Sequence, residues 1–141
     1  MSRSEQFILK LNELRTSHSC KAVTMNNMLN LTALHHSIFM CRNASLSHTG
    51  SLSSTFSDRI LQNGYHFMEA AENIALCPAD PQKVIDHWMN SPLHRQNLLN
   101  PNFSHMGIAI APKIEEADEK QSKENVYWTA IFACPLTYED I

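Results

Sequence analysis

The sequence predicts an α+β fold, a three-layer α/β/α sandwich in which helices flank a small, mainly antiparallel three-stranded sheet. Three observations predict it. Segments with helical spacing fill most of the first two-thirds of the chain, and the two clearest strand patterns come late and in succession. Helices gathered before antiparallel strands have to cover a sheet made largely at the end of the chain. At 141 residues and 16.0 kDa the chain suits one domain, residues 1–141, and four or more helices suffice to cover both faces of such a sheet.

The elements follow in order. The first helix opens on Ser2-Arg3-Ser4-Glu5, a capping-box pattern, and Phe7, Ile8, Leu11 and Leu14 continue at helical spacing. A second helix caps at Thr24 and presents Met25, Leu29, Ala33, His36 and Met40 along one face. A third runs from Phe56 to Gln62 and stops at Asn63-Gly64, the expected C-terminal signal. Asp80-Pro81 supplies an N-cap and a first-turn proline for a fourth helix, whose apolar stripe is Val84, Ile85, Trp88 and Met89. Ser91-Pro92 interrupts that helix and re-caps a short one through Leu99, which Asn100-Pro101 ends. Glu72–Leu76 reads as a short strand, Met106–Ile110 alternates, and Val126–Ala133 is β-branched and aromatic. Between the last two lies Lys113–Asn125, dense in charge and without apolar residues beyond Ile114 and Ala117. It reads as a solvated, mobile connection.

Composition narrows the function classes. With 43% hydrophobic and 18% charged residues the chain is globular, not disordered. Net charge is −3 and no block of Lys and Arg forms a basic face, which excludes nucleic acid as a partner. No apolar run approaches the ~18 residues of a membrane span. Cys20, Cys41, Cys77 and Cys134 follow no zinc spacing; they form up to two disulfides in a secreted protein, or they are buried free thiols. Three pairings are open, although Cys20 and Cys41 stand at opposite ends of the second helix, too far apart to bridge. The opening segment lacks the continuous apolar core of a signal peptide, so the chain is intracellular or a mature form without its leader. Sequons at Asn30, Asn43 and Asn102 tilt this reading toward an extracellular protein.

A set of ordered motifs goes further. Ala71-Glu72-Asn73-Ile74-Ala75 resembles the G-E-N-[LI]-A box of CAP domains, the superfamily of cysteine-rich secretory proteins, antigen 5 and pathogenesis-related group-one proteins. His87 to Leu99 resembles the W-x-x-S-P-x-H-R-x-N-[IL]-L box in its bacterial and fungal form. Leu46-Ser47-His48-Thr49-Gly50 is similar to the first histidine motif, and Asn12-Glu13-Leu14-Arg15 to the opening N-x-x-R. Asn100-Pro101-Asn102-Phe103 leading to Met106-Gly107-Ile108, and then Tyr127-Trp128-Thr129, match the closing pattern. Six boxes in family order span residues 7 to 134.

The resemblance implies a central cavity lined by two histidines and two acids. His48, Glu72 and His94 occupy three of those places, and Ser91 stands where many relatives carry the second acid. Imidazoles and a carboxylate suit a divalent ion such as zinc. His48 and His94 would be the ligands, with Glu72 as a third or as a hydrogen-bonded support behind a histidine. The competing account is a buried polar network that braces the helices on the sheet. Catalysis would need a nucleophile with a base in reach; Ser91 near His94 and Glu72 is the only candidate set, and an N-cap role explains Ser91 more simply.

The other histidines read as ordinary: only one of the adjacent His35 and His36 can face the core, and His87 points to solvent if Trp88 is buried. Met25, Met28, Met40 and Met89 read as core first, and otherwise as the lining of a groove that could take a lipid chain. Three functions result: a non-enzymatic, secreted-type binding protein with a sterol or fatty-acid groove, as the family implies; a metal-dependent hydrolase using His48, Glu72 and His94; and a module recognising a protein or cell-wall polymer through Lys113–Asn125 or the serine-rich His48–Asp58 segment.

Overall fold

A computed structural model of the chain describes residues 1–114 and 120–137. Among them are five α-helices: α1 (Arg3–Ser17), α2 (Asn27–Asn43), α3 (Phe56–Gln62), α4 (Pro81–Met89) and α5 (Pro92–Leu98). Four strands accompany them: β1 (Thr24–Met25), β2 (Phe67–Pro78), β3 (His105–Ala111) and β4 (Asn125–Pro135). No described helix is long and apolar enough to cross a membrane.

The helix ends follow the local chemistry. Ser2 and Glu5 form the reciprocal capping box of α1, Thr55 and Asp58 form another at α3, and the Asp80 carboxylate accepts from two amides at the start of α4. The sheet order is β1-β3-β4-β2, with β4 antiparallel to both of its neighbours. Because successive strand residues face opposite ways, β4 is apolar on both sides. Val126, Trp128, Ala130 and Phe132 enter the core under α1, α4 and α5, and Ile131 and Ala133 enter the core under α2 and α3. That double burial explains its unbroken apolar run.

The first core gathers Phe7, Leu11, Trp88, Trp128 and Phe132, with the Phe7 and Trp88 rings edge-to-face at 5.9 Å. The second is made of smaller groups, Leu29, Ala33, Ile60, Ile131 and Ala133. There α2 lies with its main chain directly on β3. A Cβ at Gly107 would come within 2.1 Å of the Leu29 carbonyl carbon, so only glycine fits that crossing.

The α/β/α layering predicted from sequence is present, but the sheet has four strands, not three. The second helix starts later than predicted: Asn26 is its cap, accepting from the Met28 and Leu29 amides, while Thr24 and Met25 pair parallel with His105 and Met106. Asparagine caps as well as threonine, and the exposed main chain of β3 captures the two residues before it. The strand predicted at Glu72–Leu76 extends to Phe67–Pro78; Glu69, Glu72 and Asn73 hide its period although it pairs along the length of β4. Ile114, placed by sequence in the solvated connection, is buried in the first core. Residues 115–119 of that connection lie outside the described residues.

The four cysteines are free thiols. Cys20 is buried and its Sγ–H donates to the Leu99 carbonyl at 3.1 Å. Burial and the nearby Asp80 push the Cys77 thiol up to about 11. Of the four methionines considered as groove lining, Met40 is buried in the interior, Met25 and Met89 pack on the first core, and Met28 is exposed. They do not line one groove.

Candidate functional site

Glu72 and Asn73, adjacent on β2, turn to opposite faces of the sheet. Glu72 faces α2 and α3 and is fully buried. His48, on the loop between α2 and α3, donates from Nδ1 to Glu72 Oε1 at 2.9 Å, with 55% of its side chain exposed. Arg59 of α3 donates from Nη1 to Glu72 Oε2 at 2.7 Å and from Nη2 to the His48 carbonyl at 2.5 Å. His36 of α2 lies 3.9 Å from Glu72 Oε1 and donates from Nε2 to the Ser47 carbonyl at 2.7 Å. Gly50 makes room for this arrangement: a Cβ there would stand 2.9 Å from Arg59 Nε and 2.8 Å from Ser54 Oγ.

Charge in the cluster is settled by these contacts. Burial alone would raise the Glu72 pKa; hydrogen bonds from His48 and Arg59, the Arg59 charge and His36 outweigh it and hold Glu72 below its ordinary value. His36 goes down, because burial dominates over the attraction of Glu72. The centre is therefore a carboxylate clamped by a guanidinium, with a neutral imidazole beside it.

His94 is placed differently. It sits on α5, which docks on β2 through Asn73: the Asn73 amide donates to the His94 carbonyl at 3.1 Å, and Asn97 donates to Asn73 Oδ1 at 2.8 Å. Among the described residues no hydrogen bond or ion pair joins the His94 ring to His48 or Glu72. Its Nδ1 is buried without a partner, and burial, then His87, then His48, lower its pKa. No group of three His, Cys, Asp or Glu side chains is arranged to hold a metal among the described residues. Ser91 occupies the N-cap position of α5, as predicted, but its hydroxyl makes no capping bond. His36 is the buried member of the His35–His36 pair, and His87 is exposed beside the buried Trp88, both as expected.

Sequence reasoning missed Arg59 as a partner of Glu72. The signal was available in its position: Arg59 follows Phe56 by three and adjoins Ile60, so it falls on the inward side of α3. A charged residue on that side needs a buried counter-charge.

The family model of the cysteine-rich secretory protein family, CAP, matches residues 9–132. The chain belongs to the CAP family. It is 32% identical over 111 residues to the uncharacterized membrane protein YlbC of Bacillus subtilis, covering 78% of this chain and 32% of that protein. It is 45% identical over 51 residues to the uncharacterized protein YkwD of the same organism, covering 36% of this chain and 20% of YkwD. The chain thus spans a third or less of the length of these relatives. Among solved structures, an extracellular SCP-domain protein from Bacillus anthracis superposes with a TM-score of 0.79 at 27% identity, over 93% of this chain and 40% of that one. An outer surface protein from Borrelia burgdorferi has the same fold, with a TM-score of 0.81 at 19% identity, over 95% and 93% of the two chains.

Most CAP boxes of this chain do mechanical work. Asn12 clamps Val23 by donating to its carbonyl and accepting from its amide. Arg15, fully buried, donates to the carbonyls of Lys21, Leu98, Asn100 and Phe103 and so ties α1 to the end of α5. Trp88 Nε1 donates to the Ile74 carbonyl at 3.0 Å, and Asn100 and Asn102 donate to Glu69. The motifs that identify the family are largely the bonds that hold α1, α5 and β2 together.

Proposed function

We propose that this CAP domain acts as a non-catalytic binding domain outside the cell. The observation that carries the reading is the state of Glu72: both carboxylate oxygens already take N–H donors, from Arg59 and His48. This donor set does not fit zinc, because a divalent ion on Glu72 would have to sit beside, or displace, a buried guanidinium. Ser91 supports no nucleophile, since its hydroxyl has no hydrogen bond to a histidine among the described residues. The extracellular setting is supported by the Bacillus anthracis neighbour, described as extracellular, and by the Borrelia outer surface protein.

The hydrolase reading is tested by native mass spectrometry and zinc titration of protein prepared without chelators, beside the His48→Ala/His94→Ala double variant. The expected result is no stoichiometric zinc in either protein. One zinc per chain, lost in the double variant together with hydrolytic activity, overturns the proposal. Between lipid and protein ligands, the scattering of Met25, Met28, Met40 and Met89 favours protein. Retention of radiolabelled cholesterol or palmitate at one molecule per chain reverses that preference.

A further inference from the structure

The outer edge of β3 is covered for only part of its length. Thr24 donates from its amide to the Ser104 carbonyl at 3.0 Å, and Asn26 to the Met106 carbonyl at 2.9 Å. The next outward group, the Ile108 amide, donates to Asn30 Oδ1 at 3.1 Å. The outward groups thus belong to alternate residues, 104, 106 and 108, as strand geometry requires. The Ile108 carbonyl and both main-chain groups of Ile110 come next on the same edge, after β1 has ended at Met25 and with no strand beyond it among the described residues.

This edge forms part of a groove. Two adjoining recesses of about 480 and 380 Å³ share Leu34 and Ile110. The first is bounded by Ser4 of α1 and by Asn27, Asn30 and Leu31 of α2; the second runs to Ile38, Cys41 and Arg42 of α2 and to Lys113. Leu31 and Leu34 are exposed, at 44% and 40%. From Asn27 to Arg42 the wall of α2 is about 22 Å long at 1.5 Å per residue, room for roughly six or seven residues of extended chain at about 3.3 Å each. One end is basic, carrying Arg42 and Lys113, in a protein whose net charge is −3.

We propose that this groove binds an extended peptide segment of another protein by strand addition to β3, with apolar side chains on Leu31, Leu34 and Ile110 and an acidic residue or terminal carboxylate at Arg42 and Lys113. Each feature selects that occupant. A main-chain donor flanked by two main-chain acceptors at strand spacing is matched by another extended main chain, whereas an acyl chain would leave all three unpaired. The edge runs between α1 and α2, so a slim single chain reaches it more readily than a second sheet edge flanked by its own helices. The basic end selects for negative charge. This inference rests on the binding reading above but uses none of His48, Glu72 or His94, so its failure and the failure of that reading are separate results.

The test is selection of a phage-displayed library of random eight-residue peptides on the full chain, with the Leu34→Asp variant as counter-selection. The expected winners alternate apolar residues and carry an acid toward one end. The best synthetic peptide should bind at least tenfold more weakly to Leu34→Asp and should weaken several-fold on Arg42→Glu. N-methylation of alternate residues, which removes the donors of one peptide edge, should weaken it at least tenfold. Bound peptide should also slow iodoacetamide labelling of Cys41, read by peptide mapping. Thermal unfolding confirms that both variants fold, as their exposed positions require. No enrichment over the counter-selection, equal binding of the N-methylated peptide, or a Leu34-dependent dimer in place of peptide binding each overturns the proposal.

Discussion

The two faces of the sheet are built by different rules. Under α1, α4 and α5 the interior is large and aromatic, with Phe7, Trp88, Trp128 and Phe132 in contact with one another or with the same core. Arg15 makes four hydrogen bonds to carbonyls there and Asn73 joins His94 and Asn97, while His94 Nδ1 is buried without a partner. Under α2 and α3 the side chains are small, Gly107 lets helix and strand main chains touch, and a charged cluster sits at the margin. Three polar atoms there, His36 Nδ1, Ser54 Oγ and Arg59 Nε, are buried without a partner. The first face thus rests on large aromatic packing and on hydrogen bonds to carbonyls, the second on close main-chain approach and a buried ion pair. Among the described residues Glu72 is the carboxylate that pairs with the buried Arg59 of the second face.

The strongest way to break this contrast is to remove that balance. Glu72→Gln leaves the buried Arg59 cation unpaired and should cost about 3–5 kcal/mol in urea unfolding. Adding Arg59→Met removes both charges and should recover much of the loss, because a buried ion pair replaced by apolar groups is often close to neutral. Additive costs in the double variant would show that the two residues stabilise the fold independently. On the first face Trp88→Phe deletes a single bond to the Ile74 carbonyl, for about 1–3 kcal/mol.

Acid should sharpen the same contrast. Glu72 titrates in the folded state below its ordinary value of 4.5, so its contribution is full above that value and is lost as pH falls through the folded pKa. His36 is likewise depressed, from 6.5; being neutral when folded, it contributes above 6.5 and loses that contribution as pH falls. Both changes have the same sign. Wild-type stability should therefore decline below pH 6.5 and again below 4.5, and Trp88→Phe should follow it in parallel. Glu72→Gln should lose the second decline but keep the first, since His36 is then without the carboxylate that offsets its burial. Parallel curves for all three proteins, from urea midpoints between pH 3 and 8, would show that Glu72 does not link stability to pH.

What the sequence made legible was whatever depends on neighbours in the chain. The Ser2–Glu5 capping pair, the Asn63-Gly64 stop, the Asp80-Pro81 start and the stripe through Trp88 are local signals, and the elements they announce stand where they were read. Ordered boxes gave the family, and through it His48 and Glu72, which do meet. What escaped depends on distant partners. Nothing near Thr24 announces a two-residue strand, because its reason to be extended is its pairing with His105 and Met106 of β3, far along the chain. The pairing of Arg59 with Glu72 and the docking of the His94 main chain on Asn73 depend on where β2 lies, which no spacing along the chain encodes.

The smallest predicted effect separates position from interaction at two helix starts. Thr55 and Ser91 both occupy N-cap positions with extended backbone, and both are residue types that favour that role. Only the Thr55 hydroxyl accepts from an amide, that of Asp58 at 3.1 Å, while the Asp58 carboxylate returns to the Thr55 amide at 3.0 Å. Thr55→Ala should therefore cost about 1 kcal/mol, as for other lost caps. Ser91→Ala should stay within about 0.5 kcal/mol, the range of a substitution that removes no bond. Thr55 also opens the helix that delivers Arg59 to Glu72, so its loss should move the acid transition that Glu72 controls, while Ser91→Ala leaves that transition in place. A cost at Ser91 equal to that at Thr55 would mean that its hydroxyl caps α5 in solution after all.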